Sequence, residues 1–402
     1  MSGHEGGEAG PARLAYALRA AGALTEDWLP AYGAVPRHLF VPQVIWPGRA
    51  GMNRQEDRVI RDEQPDVWWE AVHRDAPITT QWDDGAFSGP GRGRMPTSSS
   101  SMPSMVFRML GALQVAEGSR VLEIGTGTGW NAGLLAHRLG GENVVSVEVH
   151  PETARAARSR LERAGLRPLV HVGDGARGFP DRAPYDRVLA TCSVGCVPPA
   201  WREQTVPGGV IVAPWGPTYG GEAVVRLTVS EDGTAEGPFV GSSAFMRMSA
   251  QRKSLPSTRA FAEQGEGVPS WTRLSPDDVG DWVQMFAVGV QVPDLFCRVE
   301  PGEGDAYRLR LMDTGVTAWA TADHKPGHAS FRVVQAGARR LWEEVEAAWD
   351  WWAEQERPGF ERFGLTVDDQ GERVWLDEPG RLVPVHGSAV RRQDSRQDKG
   401  DV

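Results

Sequence analysis

The sequence predicts an α/β protein with a mainly parallel sheet, followed by a smaller α+β domain. The first observation is the apolar run Val121 to Ile124, which is typical of a strand buried on both faces. The second is a set of glycines at alternate positions, Gly125, Gly127 and Gly129, that leads from this strand into a helix. The third is a change of composition after residue 250, where short alternating runs replace the strand–helix pattern.

The glycines and the next acidic residue predict a nucleotide-binding edge. Glycine lacks Cβ, so backbone N–H groups in this turn can approach a ligand at the carboxyl ends of the strands. Glu148 ends the second apolar run, about twenty residues after the glycines, where an acid can bind both hydroxyls of a ribose. NAD and S-adenosylmethionine both carry this ribose, so Glu148 alone does not separate them.

Two further acids favour S-adenosylmethionine. Glu123 precedes the glycines, where its charge would repel a pyrophosphate but attract the ammonium group of a methionine moiety. Asp174 ends a third strand, in Val172-Gly-Asp-Gly175, and suits an adenine amino group. Together these motifs resemble those of class I S-adenosylmethionine-dependent methyltransferases, which implies a Rossmann-like, mainly parallel seven-stranded sheet. The residues predicted to bind this cofactor are Ser98, Glu123, Gly125, Thr126, Gly127, Gly129, Glu148, Val149, Asp174 and Gly175.

Composition limits the class of protein and its partners. The chain has 402 residues, a formal charge of −10 and a pI near 5.5, which argues against affinity gained by neutralising phosphates. Its three cysteines lack the paired spacings of a zinc site, and no apolar stretch approaches a membrane span. We therefore expect a monomeric cytoplasmic enzyme without metal, nucleic-acid or membrane partners.

An amino-terminal segment resembles a particular family. Leu18-Arg-Ala-Ala-Gly-Ala-Leu-Thr-Glu-Asp-Trp28, followed by Val35-Pro-Arg-His-Leu-Phe-Val-Pro42, is similar to the region that precedes the cofactor domain in protein-L-isoaspartate O-methyltransferases. The residues Ser101, Pro103 and Met105 match that family's Thr-Ile-Ser-x-Pro-x-Met element, which lies over the cofactor and the substrate carboxylate. The resemblance implies catalytic roles for Ser101 and Ser99. It departs upstream, where residues 86–97 are rich in glycine and arginine and predict a long flexible loop.

The remaining elements set the predicted domain boundaries. After strands at Tyr185–Thr191 and Pro207–Pro214, the runs Val224–Val229 and Ala244–Met248 predict a closing antiparallel pair. We therefore place the catalytic domain at 11–250 and a polar linker at 251–272. A C-terminal α+β domain at 273–390 is predicted from alternating runs, a helix and a last hairpin at 365–376, with a disordered tail at 391–402.

The expected chemistry is simple. A carboxylate has an ordinary pKa near 4, so it is ionised at neutral pH and needs no general base to attack a methyl group. Alignment is then the main contribution of the protein. A serine hydroxyl can donate to one carboxylate oxygen and leave the other oxygen to attack, which is the role expected for Ser99 and Ser101.

The resemblance leaves more than one function open. The C-terminal extension and the altered loop resemble enlarged relatives that act in the biosynthesis of ribosomal peptides such as lanthipeptides and graspetides. This implies methylation of an aspartate in a cyclised precursor peptide, leading through a succinimide, or aspartimide, to isoaspartate. The alternatives are repair of isoaspartate in damaged proteins and a catalytically inactive protein that binds peptides.

Overall fold

In this computed structural model, which describes residues 5–49 and 52–387, the chain divides into two units. The first contains the residues up to 215 together with 223–252 and 360–380, and the second contains 216–222, 253–359 and the residues from 381 onward. The helices are α1 (Glu5–Ala20), α2 (Leu29–Ala34), α3 (Pro65–Val72), α4 (Pro103–Leu113), α5 (Trp130–Leu139), α6 (Pro151–Arg163), α7 (Pro199–Glu203), α8 (Trp282–Gln291) and α9 (Leu341–Glu354).

The strands form three sheets within the described residues. The strands are β1 (Val44–Arg49), β2 (Met52–Gln55), β3 (Val59–Ile60), β4 (Ile78–Trp82), β5 (Pro96–Ser100), β6 (Val121–Ile124), β7 (Val144–Glu148), β8 (Leu169–Val172), β9 (Tyr185–Ala190), β10 (Thr205–Trp215), β11 (Ala223–Val229), β12 (Ala235–Ser242), β13 (Val268–Thr272), β14 (Leu295–Pro301), β15 (Tyr307–Asp313), β16 (Ala318–His324), β17 (Phe331–Gly337), β18 (Phe363–Asp368) and β19 (Gly371–Leu376).

The predicted class I fold is confirmed in the first unit, although its sheet has nine strands rather than the predicted seven because the hairpin of β18 and β19 extends it. Its large sheet has the order β19-β18-β12-β11-β10-β9-β6-β7-β8, in which β8, β7, β6, β9 and β10 are parallel. Strands β6 and β7 are buried along their whole length, as expected for strands covered on both faces. Because β6 lies at the centre of these five parallel strands, the glycines that follow it lie in the middle of their carboxyl edge.

The amino-terminal helices pack on the helix that follows the glycines. Leu18, Trp28 and Phe40 share one buried core with Phe107 and Trp130. The indole of Trp130 also donates a 2.9 Å hydrogen bond to the carbonyl oxygen of Val35. These contacts fix the amino-terminal segment against α5. Strand β4 pairs with β5, which holds the serine run in a small separate sheet.

The end of the catalytic sheet differs from the sequence prediction. Strand β11 pairs with β12 through a tight turn at Asp232 and Gly233, where Gly233 has φ +81°. The segment 244–248 is therefore not a partner of β11. It makes an isolated bridge between Arg247 and Ser193, because the hairpin turn has already supplied β11 with a nearer partner.

The hairpin at 365–376 also belongs elsewhere. It was predicted to complete the C-terminal domain, but β18 pairs antiparallel with β12, aligning Leu365 with Gly237 and Val367 with Ala235. Strand β12 would otherwise end the sheet with unpaired backbone groups, and the hairpin satisfies them. The predicted range 273–390 for the C-terminal domain thus needs correction, since 360–380 lies in the catalytic unit.

The second unit is an antiparallel sheet of order β13-β17-β16-β15-β14 with α8 and α9 packed on it. The predicted turn at Asp313-Thr-Gly315 joins β15 to β16, and the carboxylate of Asp313 accepts the N–H groups of Thr317 and Ala318 at 2.8 Å. Strand β13 takes up part of the predicted linker 251–272. The predicted disordered tail at 391–402 lies outside the described residues.

Candidate functional site

A cavity of about 370 Å³ lies at the carboxyl edge of the parallel strands in the first unit. Its floor is the turn after β6. Its walls include the residues after β7, β8 and β9, the serine run, part of α4 and the segment that follows β12. The predicted cofactor residues on its wall are Ser98, Gly125, Thr126, Gly127, Glu148, Val149, Asp174 and Gly175.

The glycine turn requires residues without Cβ. Gly125, Gly127 and Gly129 have φ values of +94°, +53° and +92°, a region that strains other residues. A Cβ at Gly125 would lie 2.8 Å from Oγ1 of Thr191, so the close approach excludes even alanine. Gly129 begins α5 rather than lining the cavity, and its missing Cβ leaves room for Ala157 of α6.

Glu148 organises the turn from the end of β7. Its Oε2 accepts the N–H of Gly127 at 2.9 Å, and its Oε1 accepts the N–H of His150 at 3.1 Å. The side chain is 7% exposed and borders the cavity. The carboxylate therefore faces a ligand position while the backbone holds it in place.

The structure differs from the prediction at Glu123. This side chain is fully buried and absent from the described wall of the cavity, so it is not placed to meet an ammonium group. Its Oε1 accepts a 2.6 Å hydrogen bond from Asn131, and its Oε2 accepts one from Ser146. Burial raises the pKa of Glu123 to about 7, although these two hydrogen bonds oppose the shift. Glu123 therefore stabilises the surroundings of the glycine turn through its bonds with Asn131 and Ser146.

Asp174 lies at the edge of the cavity in an exposed position. Its carboxylate accepts the N–H of Ala176 at 2.9 Å, which fixes the short turn after β8. The next residue, Gly175, packs so closely on Ile124 that a Cβ there would lie 2.5 Å from Cγ2. The indole of Trp201 holds the carbonyl oxygen of Gly175 at 2.8 Å. Asp174 is thus held where the carboxyl ends of β6 and β8 meet the cavity.

The serine run forms the wall near the glycine turn. All four residues, Ser98 to Ser101, border the cavity. A Cβ at Gly127 would lie 3.3 Å from the carbonyl oxygen of Ser99, which shows how closely the two segments approach. The serine run and the glycine turn therefore approach each other closely at the same cavity.

A buried arginine that the sequence analysis missed holds this run. Arg37 is 3% exposed and lies in the Val-Pro-Arg-His segment. Its guanidinium donates to the carbonyl oxygens of Ser100 at 3.1 Å and Ser101 at 2.9 Å, and Nε donates to Oγ of Ser100 at 3.2 Å. The same group also bonds the carbonyl oxygens of Val72, Arg74 and Ala76. Arg37 therefore ties two loops and the serine run together.

The segment after β12, predicted as a strand, instead brings positive charge to the cavity. Arg247 and Arg252 both border it. Nη1 of Arg252 lies 2.8 and 2.9 Å from the carboxylate oxygens of Asp84, and Nε2 of His150 lies 3.2 Å from Oδ1 of Asp84. Arg247 falls in the segment 244–248 that the sequence predicts as a strand, and Arg252 falls in the predicted linker 251–272.

The loop between β4 and β5 is hydrogen-bonded rather than open. The carboxylate of Asp83 accepts the N–H groups of Arg94 and Met95 at 2.9 and 2.8 Å. The indole of Trp46 donates to the carbonyl oxygen of Gly91 at 2.7 Å. The composition of this segment predicts a long flexible loop. In the structure, Asp83 at one end of the loop instead bonds the backbone at the other end and so closes it.

The carboxyl-terminal hairpin of the first unit holds the loop after β9, which borders the same cavity. The carboxylate of Glu372 accepts the N–H of Val197 and, at 3.0 Å, the indole N–H of Trp215. Gln251 bonds the same loop, because its Oε1 accepts the N–H of Gly195 at 2.7 Å. Burial raises the pKa of Glu372 to about 7. The loop after β9, which borders the cavity at Thr191 and Cys192, is therefore held from two sides.

Within the described residues, two kinds of feature were not found. No helix there is long and apolar enough to cross a membrane. No described cluster of three or more histidine, cysteine or acidic side chains is arranged to hold a metal ion.

Comparison with known proteins gives one consistent family. The sequence model described as "Protein-L-isoaspartate(D-aspartate) O-methyltransferase (PCMT)" matches residues 52–253. A protein-L-isoaspartate O-methyltransferase of Methanoculleus marisnigri is 33% identical over 255 residues, 63% of this chain and 93% of that protein. One of Thermococcus onnurineus is 41% identical over 148 residues, 36% of this chain and 67% of that protein. A solved protein-L-isoaspartate O-methyltransferase covers 92% of this chain and all of its own, with 19% identity and a TM-score of 0.49.

Proposed function

Because this chain belongs to the protein-L-isoaspartate O-methyltransferase family, we propose that it uses S-adenosylmethionine to methylate a carboxylate of an aspartyl or isoaspartyl residue. The observation that carries this proposal is the close approach of the serine run to the glycine turn across one cavity. A carboxylate on the serines would then lie beside a nucleotide held on the turn.

The wall of the cavity suits the cofactor. The backbone at Gly125 and Gly127 can be approached closely, Glu148 offers a carboxylate to ribose hydroxyls, and Asp174 is exposed toward an adenine. When bound, S-adenosylmethionine supplies an electrophilic methyl group on its sulfonium. Glu123 is not among the groups that would contact the cofactor, and its contribution is to hold Asn131 and Ser146.

The chain itself positions the nucleophile. An ionised carboxylate needs no base, so the serine hydroxyls of Ser99 and Ser101 can donate to one oxygen while the other attacks the methyl group. Arg247 and Arg252 border the same wall, where Arg252 is paired with the carboxylate of Asp84. The reaction forms one C–O bond and breaks one C–S bond, and no proton moves.

The narrower proposal is a dedicated peptide substrate. The family match ends at residue 253, and a second unit with its own core follows it. A repair enzyme must accept many sequences, whereas further surface can separate one peptide from others. We therefore place a cyclised ribosomal precursor peptide, whose methylated aspartate closes to a succinimide as methanol leaves, ahead of general repair of isoaspartate.

Three substrates test whether the enzyme prefers a precursor peptide to isoaspartate in other sequences. We expect methylation of a cyclised precursor peptide to exceed that of its linear form and of a generic isoaspartyl peptide by at least about tenfold in kcat/KM, or about 1.4 kcal/mol. Mass spectrometry would follow the methyl ester and the succinimide. Equal rates on the generic isoaspartyl peptide would assign the protein to repair, and no methylation of any of the three would reject the enzymatic proposal.

Replacing Glu148 with alanine should weaken cofactor binding. The variant removes an acceptor that would otherwise serve two hydroxyls, and it leaves the N–H of Gly127 unpaired. A loss of about 1–3 kcal/mol in binding free energy is expected by calorimetry with S-adenosylhomocysteine. Glu152→Ala is the control, since this exposed acid begins the next helix and pairs with Arg155. Equal affinity of the Glu148 variant and wild type would reject the assignment.

Replacing Ser101 with alanine separates substrate alignment from cofactor binding. We expect kcat to fall by about tenfold or more, because a lost hydrogen bond to a charged group costs about 1.5–3 kcal/mol. The affinity for S-adenosylhomocysteine should stay within about twofold of wild type. Ser242→Ala, at the exposed end of β12, controls for the substitution itself. Unchanged kcat in the Ser101 variant would show that its hydroxyl does not orient the carboxylate.

A further inference from the structure

A second and larger cavity of about 760 Å³, here called the basic cleft, lies in the first unit beside α6. Its lining includes three arginines, Arg61, Arg160 and Arg163, together with apolar residues such as Leu39 and Trp46. No acidic residue is found among its described lining. A cleft of this composition stands out in a chain with ten more acidic than basic residues, 53 against 43.

Within the described residues, the three guanidinium groups have no counter-ion, because no carboxylate there lies within 4.0 Å of any of them. Many other arginines of this chain are paired. Arg160 donates only to the carbonyl oxygen of Thr128, at 3.4 Å, and Arg61 stacks over Trp68 with 4.7 Å between Cζ and the ring centroid. Burial and the nearby charge of Arg163 both lower the pKa of Arg160, so an anion in the cleft would relieve a repulsion.

The helix dipole of α6 explains the positions of only two of the three arginines. Arg160 and Arg163 lie in the last turn of α6, where positive charge is favoured by the helix dipole. Arg61 comes from a different part of the chain, so the helix dipole does not explain its position in the same cleft. The basic residues therefore converge on a shared space rather than on a helix end alone.

The basic cleft adjoins the candidate active site. Thr80 of β4 lines the cleft, and its Oγ1 lies 3.4 Å from Oγ of Ser98, which lines the other cavity. Strands β4 and β5 thus separate the basic cleft from the cavity of the candidate active site. By contrast, Arg92 in the loop between these strands is already paired with Asp57 at 3.1 Å.

We propose that the basic cleft binds an acidic, partly apolar peptide segment, and that this segment belongs to the substrate outside the residue that is methylated. The first half is a statement about binding alone, and the second half rests on the proposed methyltransferase function. Carboxylates would pair with Arg61, Arg160 and Arg163, while apolar side chains would cover Leu39 and Trp46. Attraction between opposite charges would speed association and weaken as salt rises.

Direct binding tests the first half. The probe is a fluorescein-labelled peptide of about ten residues in which glutamate and leucine alternate, followed by fluorescence anisotropy with the full chain. Its glutamine counterpart should bind at least about tenfold more weakly, and an oligothymidine of equal charge should also bind more weakly. Equal binding of the glutamine peptide would overturn the proposal, as would tighter binding of the oligothymidine.

Matched variants locate the binding. Arg61→Gln with Arg163→Gln should weaken binding of the glutamate peptide by at least about tenfold. The control, Arg155→Gln with Arg167→Gln, removes the same charge from exposed positions outside the cleft and should bind as wild type does. If the first pair fails to fold, Arg163→Gln alone decides, because this exposed side chain has no described partner. Wild-type affinity in the cleft variants would place the binding elsewhere and overturn the proposal.

The two halves fail in distinguishable ways. Anisotropy needs no methyl transfer, so binding that persists in a protein without activity would reject the proposed function and leave the cleft assignment standing. Where activity is present, the cleft variants should raise KM for a substrate peptide with an acidic segment and leave kcat unchanged. Unchanged KM with weakened binding of the probe would overturn the assignment of the cleft to the substrate.

Discussion

Replacing Arg37 with methionine is expected to destabilise the protein by about 3–5 kcal/mol and to abolish methyl transfer. The guanidinium supplies donors to five carbonyl groups and one hydroxyl, and four of these six hydrogen bonds are buried. Each buried acceptor left without a donor costs about 1–3 kcal/mol when it cannot relax. Burial lowers the pKa of Arg37 to about 9, so the group stays charged at neutral pH.

Urea unfolding and single-turnover kinetics would measure the two effects. Arg37→Lys keeps the charge but cannot reach this many acceptors, so we expect it to recover only part of the stability. Arg108→Met is the matched control, because Arg108 is exposed on α4 and has no described hydrogen-bond partner. A methionine variant with the stability and rate of wild type would show that the serine run does not depend on Arg37.

Local patterns predicted the strands and the glycine turn that border the cavity. The apolar run of β6, the glycines after it and the acid that ends β7 are signals within about thirty residues, and each fixes local backbone geometry. The role of Glu123 was not predictable in this way. Successive side chains of a strand point to opposite faces, so the acid before the glycines turns toward Asn131 and Ser146 rather than into the cavity.

Contacts between residues that are distant in sequence could not be predicted from local patterns. The Arg37 bond to Ser100 joins residues 63 positions apart, and nothing in either motif indicates the other as its partner. A hairpin pattern at 365–376 is recognisable, but the edge strand that it joins lies more than a hundred residues earlier. The position of Arg252 on the cavity wall likewise depends on the turn at Gly233, which ends β11 and releases the following segment.

The hairpin gives the second large effect: a protein that ends at residue 255 should fail to fold. Such a protein keeps the whole segment that matches the family but loses β18 and β19. The hairpin buries Phe363, Leu365 and Leu376 in the first unit, and burial of one such side chain contributes about 1.5–3 kcal/mol. Several losses of this size approach the total stability of a domain, about 5–15 kcal/mol.

The same truncation would remove a support of the active site and open a sheet edge. Without Glu372, the N–H of Val197 and the indole of Trp215 lose their acceptor, and residues 235–238 of β12 lose their pairing with β18. Far-UV circular dichroism, thermal melting and calorimetry with S-adenosylhomocysteine would follow the outcome.

The matched control replaces residues 253–359 with a flexible glycine–serine linker and keeps 360–380, and it should retain a cooperative transition and cofactor binding. A cooperative melt in the protein ending at 255, close to that of the full chain, would contradict an integral hairpin. Equal loss in both proteins would instead show that the catalytic unit depends on residues 253–359.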